Sequence, residues 1–244
     1  MNDLEKIKCV VSLKNSNIKC VIAEIDNETN IKIISSSVDK SQGLYNGIIV
    51  DSQKATKSIR ACLSETETKA NINLKKINLI LESPEFTCTR LSKSKKFDGT
   101  KINKEDISFL LNDAKKEVHL SNQKNSIIHI FNHNYIVDGK KFVKEPIDIY
   151  ADNLNHEMTF VTIPKNTIKN LNQVFVNCDI EIERIISNTF ALAVNCLSDT
   201  EFKLGATLID MGYEKTSIGI FMNSALIHSM TFPVGIHHIT KDIS

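Results

Sequence analysis

The sequence lacks several features that would place it in a common class at once. It has no tryptophan and only 8 glycines and 4 prolines in 244 residues, a bias to which we attach no function. It also lacks an excess of either charge, because 30 Lys and Arg stand against 29 Asp and Glu, for a net charge of +1. No overall electrostatic field therefore attracts the chain to nucleic acid or to an anionic membrane. We expect no nucleic-acid partner.

The cysteines lack the spacing of a metal site or of a disulfide framework. Six are present and no two form a Cys-x-x-Cys pair: Cys9, Cys20, Cys62, Cys88, Cys178 and Cys196. This pattern is typical of reduced thiols that pack inside cytosolic proteins. His129 and His133 are four residues apart, but no acidic residue or cysteine accompanies them, so we do not expect a metal there.

Long apolar runs and signal segments are absent as well. No stretch approaches the roughly 20 apolar residues that cross a bilayer, and the N-terminus shows no secretory signal. The elbow motif Gly-x-Ser-x-Gly is also missing, so covalent catalysis by an activated serine is not expected. The length of 244 residues is enough for one large domain or two small ones.

The order of predicted elements favours a mixed α/β fold. Residues 8–11, 19–25 and 31–37 read as three strands of an antiparallel meander. A helix is predicted at 55–70 from its apolar face. It is followed at 76–81 by a nearly continuous apolar strand, which is typical of a strand buried on both faces.

The pattern then changes to that of a small α+β unit. A strand is predicted at 86–91, and Asn103 with Asp106 forms the capping signature of a helix. Further strands are predicted at 126–131, 135–138 and 142–149. The flanks of this unit, at 92–99 and 152–156, are polar. We therefore interpret the unit as an insertion into a larger domain.

The main sheet is expected to resume at residues 160–163. The elements predicted after it are a helix at 165–176, a strand at 180–185, a helix at 189–196 and a hairpin within 205–221. The predicted domains are a first subdomain at 1–83 and 157–200, an inserted subdomain at 84–156, and the start of a second, incomplete subdomain at 201–244.

The last hairpin carries the most informative motif. Asp210, Gly212 and Thr216 lie at an Asp-x-Gly turn between two apolar strands. In actin-like ATPases such a turn surrounds nucleotide phosphates and their Mg²⁺ with backbone amides, a hydroxyl and a carboxylate. Residues 213–215 are Tyr-Glu-Lys, where that chemistry would favour small side chains. The turn therefore indicates a nucleotide site that has partly degenerated.

Five collinear segments carry a family resemblance: Gly47-Ile-Ile-Val-Asp51 before a helix, then 176–183, 199–221, 223–229 and 232–243. The last two are the most specific, because they follow the pattern Gly-x-Leu-x-His-x-x-x-x-Pro-x-Gly-Gly-x-x-x-Thr-x-Asp-Ile. Together the segments make the chain resemble FtsA, the actin-like protein of bacterial cell division, over nearly its whole length. The insertion then corresponds to the 1C subdomain of that family.

The resemblance implies an actin-like ATPase fold whose RNase H-like half carries an SHS2-type 1C subdomain. It implies a scaffold and not a metabolic enzyme: a protein that self-associates into filaments, links FtsZ to the inner membrane and recruits later divisome proteins, partly through 1C. It also implies a location on the cytoplasmic face of the inner membrane at the division site. The 2B subdomain and the C-terminal anchoring helix of the family are expected outside this chain.

The resemblance further implies ATP with Mg²⁺, bound by five residues: Ser16, Asp210, Gly212, Thr216 and Gly235. Asp210 would orient a Mg²⁺-bound water. Two departures weaken this site. The first loop is Ser12-Leu-Lys-Asn-Ser16 where the family has Asp-x-Gly-Thr-Ser/Ala, and Glu214 and Lys215 replace a Gly and a Thr in the second. Gly235 is kept, but the Gly after it is Ile236. We expect weak or lost ATPase activity.

Two alternatives stay open. One is a PilM-like component of type IV pilus assembly, which carries an inserted domain of this kind. The other is an active ATPase or sugar-kinase-like phosphotransferase that uses Asp210 and Thr216. Lys14 and Lys215 would be phosphate-binding charges in such an enzyme, although turn lysines are usually solvated. His237 and His238 are likewise expected in a solvated turn.

Overall fold

The computed structural model describes residues 6–26 and 30–243, which form two compact units. The strands are β1 Ile7–Leu13, β2 Asn17–Asp26, β3 Asn30–Lys40, β4 Leu44–Tyr45, β5 Ile48–Ile49, β6 Lys76–Leu81, β7 Thr87–Lys101, β8 Asn125–Val137, β9 Lys141–Val143, β10 Tyr150–Pro164, β11 Glu181–Ser187, β12 Ala206–Met211, β13 Thr216–Met222 and β14 Ala225–Phe232. The helices are α1 Ser52–Ala70, α2 Lys104–Ser121, α3 Lys165–Val176, α4 Asn188–Cys196, α5 Asp199–Leu204 and α6 Ile236–Ile243. The predicted mixed α/β class is confirmed.

The first unit contains the chain up to Pro84 and Lys165–Ala191, and is built on one mixed sheet. The strand order is β11-β6-β1-β2-β3. β1, β2 and β3 form the predicted antiparallel meander, while β6 and β11 run parallel to β1. Alternate β1 side chains, Cys9, Val11 and Leu13, are buried, as expected for a strand with one face against the core.

Helix α1 packs on this sheet through an apolar face that includes Ile59 and Leu63, both fully buried. It begins three residues before the predicted start, because the Asp51 carboxylate accepts a hydrogen bond from the Lys54 amide over 3.0 Å and caps the helix. The hydroxyl of Ser37 on β3 donates to the Cys62 carbonyl of α1 over 2.8 Å. That bond ties the edge strand to the helix.

The turn before α1 shows why Gly47 is part of the recognised motif. Asn46 and Gly47 have φ values of 52° and 75° and connect β4 to β5. This is the left-handed pair that favours Asn-Gly in two-residue hairpins. A Cβ on Gly47 would lie 2.3 Å from the Glu82 carbonyl oxygen. Any larger residue would therefore displace the hairpin.

The second unit contains Glu85–Pro164 and the chain from Leu192 onward. Its first part is a four-stranded sheet of order β7-β10-β8-β9, with α2 packed on one face. Asn103 is the N-cap, as predicted, and forms a capping box with Asp106, each side chain accepting from the other residue's amide over 2.9 Å. Leu110 and Ala114 of α2 are buried in the apolar clusters over this sheet.

Strand β10 is longer than the sequence indicated, and this moves the boundary of the insertion. Residues 160–163 do not resume the main sheet: they pair with β7 on one side and β8 on the other. Residues 92–99, expected as a polar flank, belong to β7. The polar residues suggested a loop, but the outer face of a paired strand tolerates polar side chains. The backbone hydrogen bonds of the strand do not depend on side-chain polarity. The inserted sheet therefore extends past residue 156 to Pro164.

Lysines on β7 are held by α2. Lys93 lies 2.6 Å from a carboxylate oxygen of Asp113 and 2.6 Å from one of Glu117, and Lys95 pairs with Asp106. These contacts turn a charged segment into part of the helix–sheet packing.

The rest of the second unit is an antiparallel sheet of order β12-β13-β14. Strand β14 contacts β7, β8 and β10 of the inserted sheet, and the amide of Ser229 hydrogen-bonds to the Cys88 sulfur. The hairpin region predicted as a separate subdomain at 201–244 thus packs with the insertion. No helix in the described ranges is long and apolar enough to span a membrane.

His156 is a buried titratable group in the inserted sheet. It is 1% exposed and stacks on Tyr135 with ring centroids 4.3 Å apart. Neither ring nitrogen has a hydrogen-bond partner among the described residues. Burial, with a smaller contribution from the charge of His133, lowers the pKa of His156 to about 4. The folded state therefore favours the neutral ring.

We predict that His156 makes stability fall as pH decreases from about 6.5 to about 4. The unfolded chain takes up this proton near its ordinary pKa of 6.5, whereas the folded chain resists it until about 4. This difference corresponds to roughly 3 kcal/mol lost across that window. Urea unfolding at a series of pH values should give a smaller loss for His156→Phe than for the wild type. His119→Phe, on the exposed side of α2, is the control, and an unchanged slope in His156→Phe contradicts the assignment.

Candidate functional site

The predicted second phosphate loop is the turn between β12 and β13, residues 212–215. The register places Asp210 opposite Ser217 and Met211 opposite Thr216. The Gly212 amide donates to the Lys215 carbonyl over 2.8 Å. The predicted hairpin is therefore present, and its turn is closed by a backbone hydrogen bond.

The turn is bound to the beginning of α6. The amide of Ile236 donates to the Gly212 carbonyl over 3.0 Å, and the amide of His237 donates to the Tyr213 carbonyl over 3.0 Å. These amides belong to the first turn of the helix, where backbone donors usually lack partners within the helix and are available to anions. Here both are occupied by the loop itself.

Two predicted site residues complete this attachment. The hydroxyl of Thr216 donates to the Val234 carbonyl over 2.7 Å, and Gly235 lies directly against the turn. A Cβ on Gly235 would be 2.5 Å from the Tyr213 carbonyl carbon and 2.6 Å from that of Glu214. The glycine is required here by close backbone packing within the protein.

The two faces of the hairpin differ in burial. Lys215 is 5% exposed, Ser217 0% and Phe221 1%, and they alternate with more exposed residues. The expectation that Lys215 is solvated is wrong. The signal in the sequence was its spacing: Lys215 is two residues before Ser217, and residues 215, 217, 219 and 221 share one face of the hairpin. Burial of that face includes Lys215.

Aromatic rings cover the outer side of the turn. Tyr213 is 67% exposed and lies 5.1 Å, between ring centroids, from His237. The ring of His237 lies 4.0 Å from that of His238, whose Nδ1 accepts from the Gly235 amide over 3.1 Å. The histidines expected in a solvated turn are therefore half-buried and take part in its structure.

Ser16, the fifth predicted site residue, lies in the β1–β2 turn of the other unit and is exposed. Its carbonyl accepts from the Ser41 amide over 3.2 Å, and the Lys14 amide donates to the Asn17 carbonyl over 3.0 Å. The structure thus brings together Asp210, Gly212, Thr216 and Gly235 in one unit and places Ser16 in the other.

The second loop does not fit the Mg²⁺–phosphate group that the resemblance implies. A phosphate cradle needs available amides, and a Mg²⁺ site needs oxygen ligands that are not balanced by another cation. The amides of Gly212, Ile236 and His237 are occupied by protein carbonyls, and the turn holds a lysine, Lys215, that is only 5% exposed. We therefore derive no catalytic step through a nucleotide at this loop.

Metal binding elsewhere has no support in the described ranges. Across residues 6–26 and 30–243, no group of three or more His, Cys, Asp or Glu is arranged to hold an ion. His133 belongs to the histidine pair noted in the sequence. Its Nε2 lies 2.5 Å from the Thr159 hydroxyl oxygen. Burial lowers the pKa of both His129 and His133.

The fold and its inserted sheet define the class of the protein. Residues 85–162 match the SHS2 domain inserted in FtsA. The structure superposes on that of the PilM-PilN type IV pilus biogenesis complex with a TM-score of 0.65 over 97% of this chain and 64% of that one, at 9% identity. At this identity the similarity concerns the fold alone. The class is an actin-like ATPase fold that carries an inserted SHS2 domain.

The chain is also similar in sequence to curated cell division proteins. The cell division protein FtsA of Buchnera aphidicola subsp. Baizongia pistaciae is 28% identical over 241 residues, which cover 98% of this chain and 57% of that protein. FtsA of Agrobacterium fabrum is 25% identical over 214 residues, covering 88% of this chain and 48% of that protein. The resemblance to FtsA predicted from the sequence is confirmed. The chain spans about half the length of these curated relatives.

We predict that Gly235→Ala destabilises the chain by about 2 kcal/mol, because the new methyl group would overlap backbone atoms that belong to a hydrogen-bonded turn. Chemical unfolding followed by circular dichroism measures the change. Pro233→Ala, two residues away and exposed, is the matched control. Equal stability of the two variants would mean that the loop and the start of α6 are not packed as described.

Proposed function

We propose that this chain is part of an FtsA-like scaffold of bacterial cell division that self-associates, links FtsZ to the inner membrane and recruits later division proteins. The observation that carries the proposal is the SHS2 insertion at residues 85–162 in a chain that aligns with FtsA over 98% of its length. A PilM-like role has support only from the shared fold, since the identity there is 9%.

A scaffold is favoured over an active phosphotransferase by the state of the second loop. Transfer of a phosphoryl group depends on positioning and charge stabilisation by amides, cations and a bound metal. The Gly212 amide of the loop and the Ile236 and His237 amides of α6 all donate to loop carbonyls. The first loop has Ser12 and Lys14 where the family pattern has Asp and Gly. We propose that the ATP response of the family is weak or lost here.

We place the partner-binding surface of the insertion at one end of its sheet. Phe109 is 58% exposed and Tyr150 67% exposed. Each ring has a lysine above it: Lys95 is 5.3 Å from the Phe109 centroid, and Lys101 is 5.4 Å from that of Tyr150. Exposed aromatic side chains that pack against lysine side chains are typical of interface anchors.

We predict that the full-length protein, tagged with a fluorescent protein, localises at the division site and recruits later division proteins there. A Phe109→Ser, Tyr150→Ser variant should keep the localisation but reduce recruitment by at least roughly tenfold, the effect of losing one or two anchors. Leu120→Ser is the control, since Leu120 is exposed near the other end of α2. A diffuse signal from the unmodified protein would overturn the proposed function, whereas normal recruitment by the double variant would overturn only the surface.

We also predict that the unmodified chain binds ATP with Mg²⁺ more weakly than about 1 mM in isothermal titration. The matched variant restores the family pattern with Ser12→Asp, Lys14→Gly and Glu214→Gly, and should bind more tightly. Micromolar binding by the unmodified chain would contradict the proposed loss. Turnover of ATP that Asp210→Asn abolishes would favour the active ATPase.

A further inference from the structure

Lys215 stands at an unusual position for a lysine. It lies in the turn of the second loop, where the family pattern has Thr, and only 5% of it is exposed. Lysine is almost never buried unless its ammonium is paired, because transfer of an isolated charge out of water is very costly. Its ammonium therefore needs a partner within the fold.

The register of the hairpin places Asp210 on the same face as Lys215. Asp210 pairs directly with Ser217 across the strands, and Lys215 is two residues before Ser217, so the three share one face of the hairpin. Diagonal neighbours on such a face are within reach of a long side chain. None of Asp210, Glu214 and Lys215 lacks a partner.

The same face continues as a polar cluster into β14. The hydroxyl of Ser217 lies 2.9 Å from that of Thr231, and Ser217 is fully buried. Asp210 is half-buried at the end of β12. A carboxylate in this partly dry setting is stabilised by a nearby cation far more than it would be in water.

We propose that Lys215 is the built-in cation of the second loop and balances the Asp210 carboxylate in the position where the family pattern would use Mg²⁺. The loop then keeps its conformation and charge balance without a metal. This inference deepens the proposed loss of the ATP response by naming the group that replaces the divalent ion.

The test is a double-mutant cycle on the whole chain. Lys215→Met keeps the aliphatic stem and removes the charge, and Asp210→Asn removes the carboxylate. Each single variant should lower the Tm by roughly 5 °C or more, because it leaves the other charge in this partly dry turn without its partner. The double variant should be more stable than the sum of the two changes predicts. Lys203→Met, at an exposed lysine of α5, is the control and should leave the Tm nearly unchanged.

A magnesium titration separates this inference from the proposed function. MgCl₂ should raise the Tm of Lys215→Met, where Asp210 lacks its cation, and should have no such effect on the wild type or the double variant at matched ionic strength. Additive Tm changes overturn the proposal, as does a saturable Mg²⁺ effect on the wild type that Asp210→Asn removes. If Lys215→Met does not fold, an Asp210→Asn variant as stable as the wild type also overturns it. None of these outcomes depends on ATP binding.

Discussion

Two backbone hydrogen bonds, from the amides of Ile236 and His237 to the carbonyls of Gly212 and Tyr213, decide what the second loop can do. They join the hairpin turn to the first turn of α6 and use the donors that an anion would otherwise find at a helix N-terminus. Such an arrangement requires the two backbone segments to touch, which only glycine at position 235 permits. The attachment therefore accounts for the glycine at position 235. It also leaves fewer amide donors at the loop for an anion.

The buried lysine is the electrostatic counterpart of this attachment. A loop that closes on itself also removes nearby charges from water, so a carboxylate on its inner face needs a cation close to it. Lys215 supplies one from within the chain. In the sequence, Lys215 is a departure from the family pattern. In the structure, it is consistent with a loop whose neighbouring amides are already occupied.

The inserted sheet depends on a different constraint, the pairing of β10 with a strand on each side. Because both edges of β10 are hydrogen-bonded, its length is fixed by its neighbours and not by its own polarity pattern. One face receives α2, and β14 contacts strands of the same sheet. The insertion and the phosphate-loop hairpin thus belong to one compact unit, although α3, β11, α4 and α5 lie between them in the sequence.

The sequence by itself determined the mixed α/β class, the meander, the N-cap of α2, the Asp-x-Gly hairpin and the resemblance to FtsA. These features are encoded locally, in residues a few positions apart, so periodicity and motif spacing predict them. Only the tertiary structure decided the extent of β10, the burial of His156 and Lys215, and the closure of the loop on α6. Each of these depends on contacts between residues distant in sequence, which no local pattern contains. A charged or polar side chain becomes buried when a segment distant in sequence packs over it.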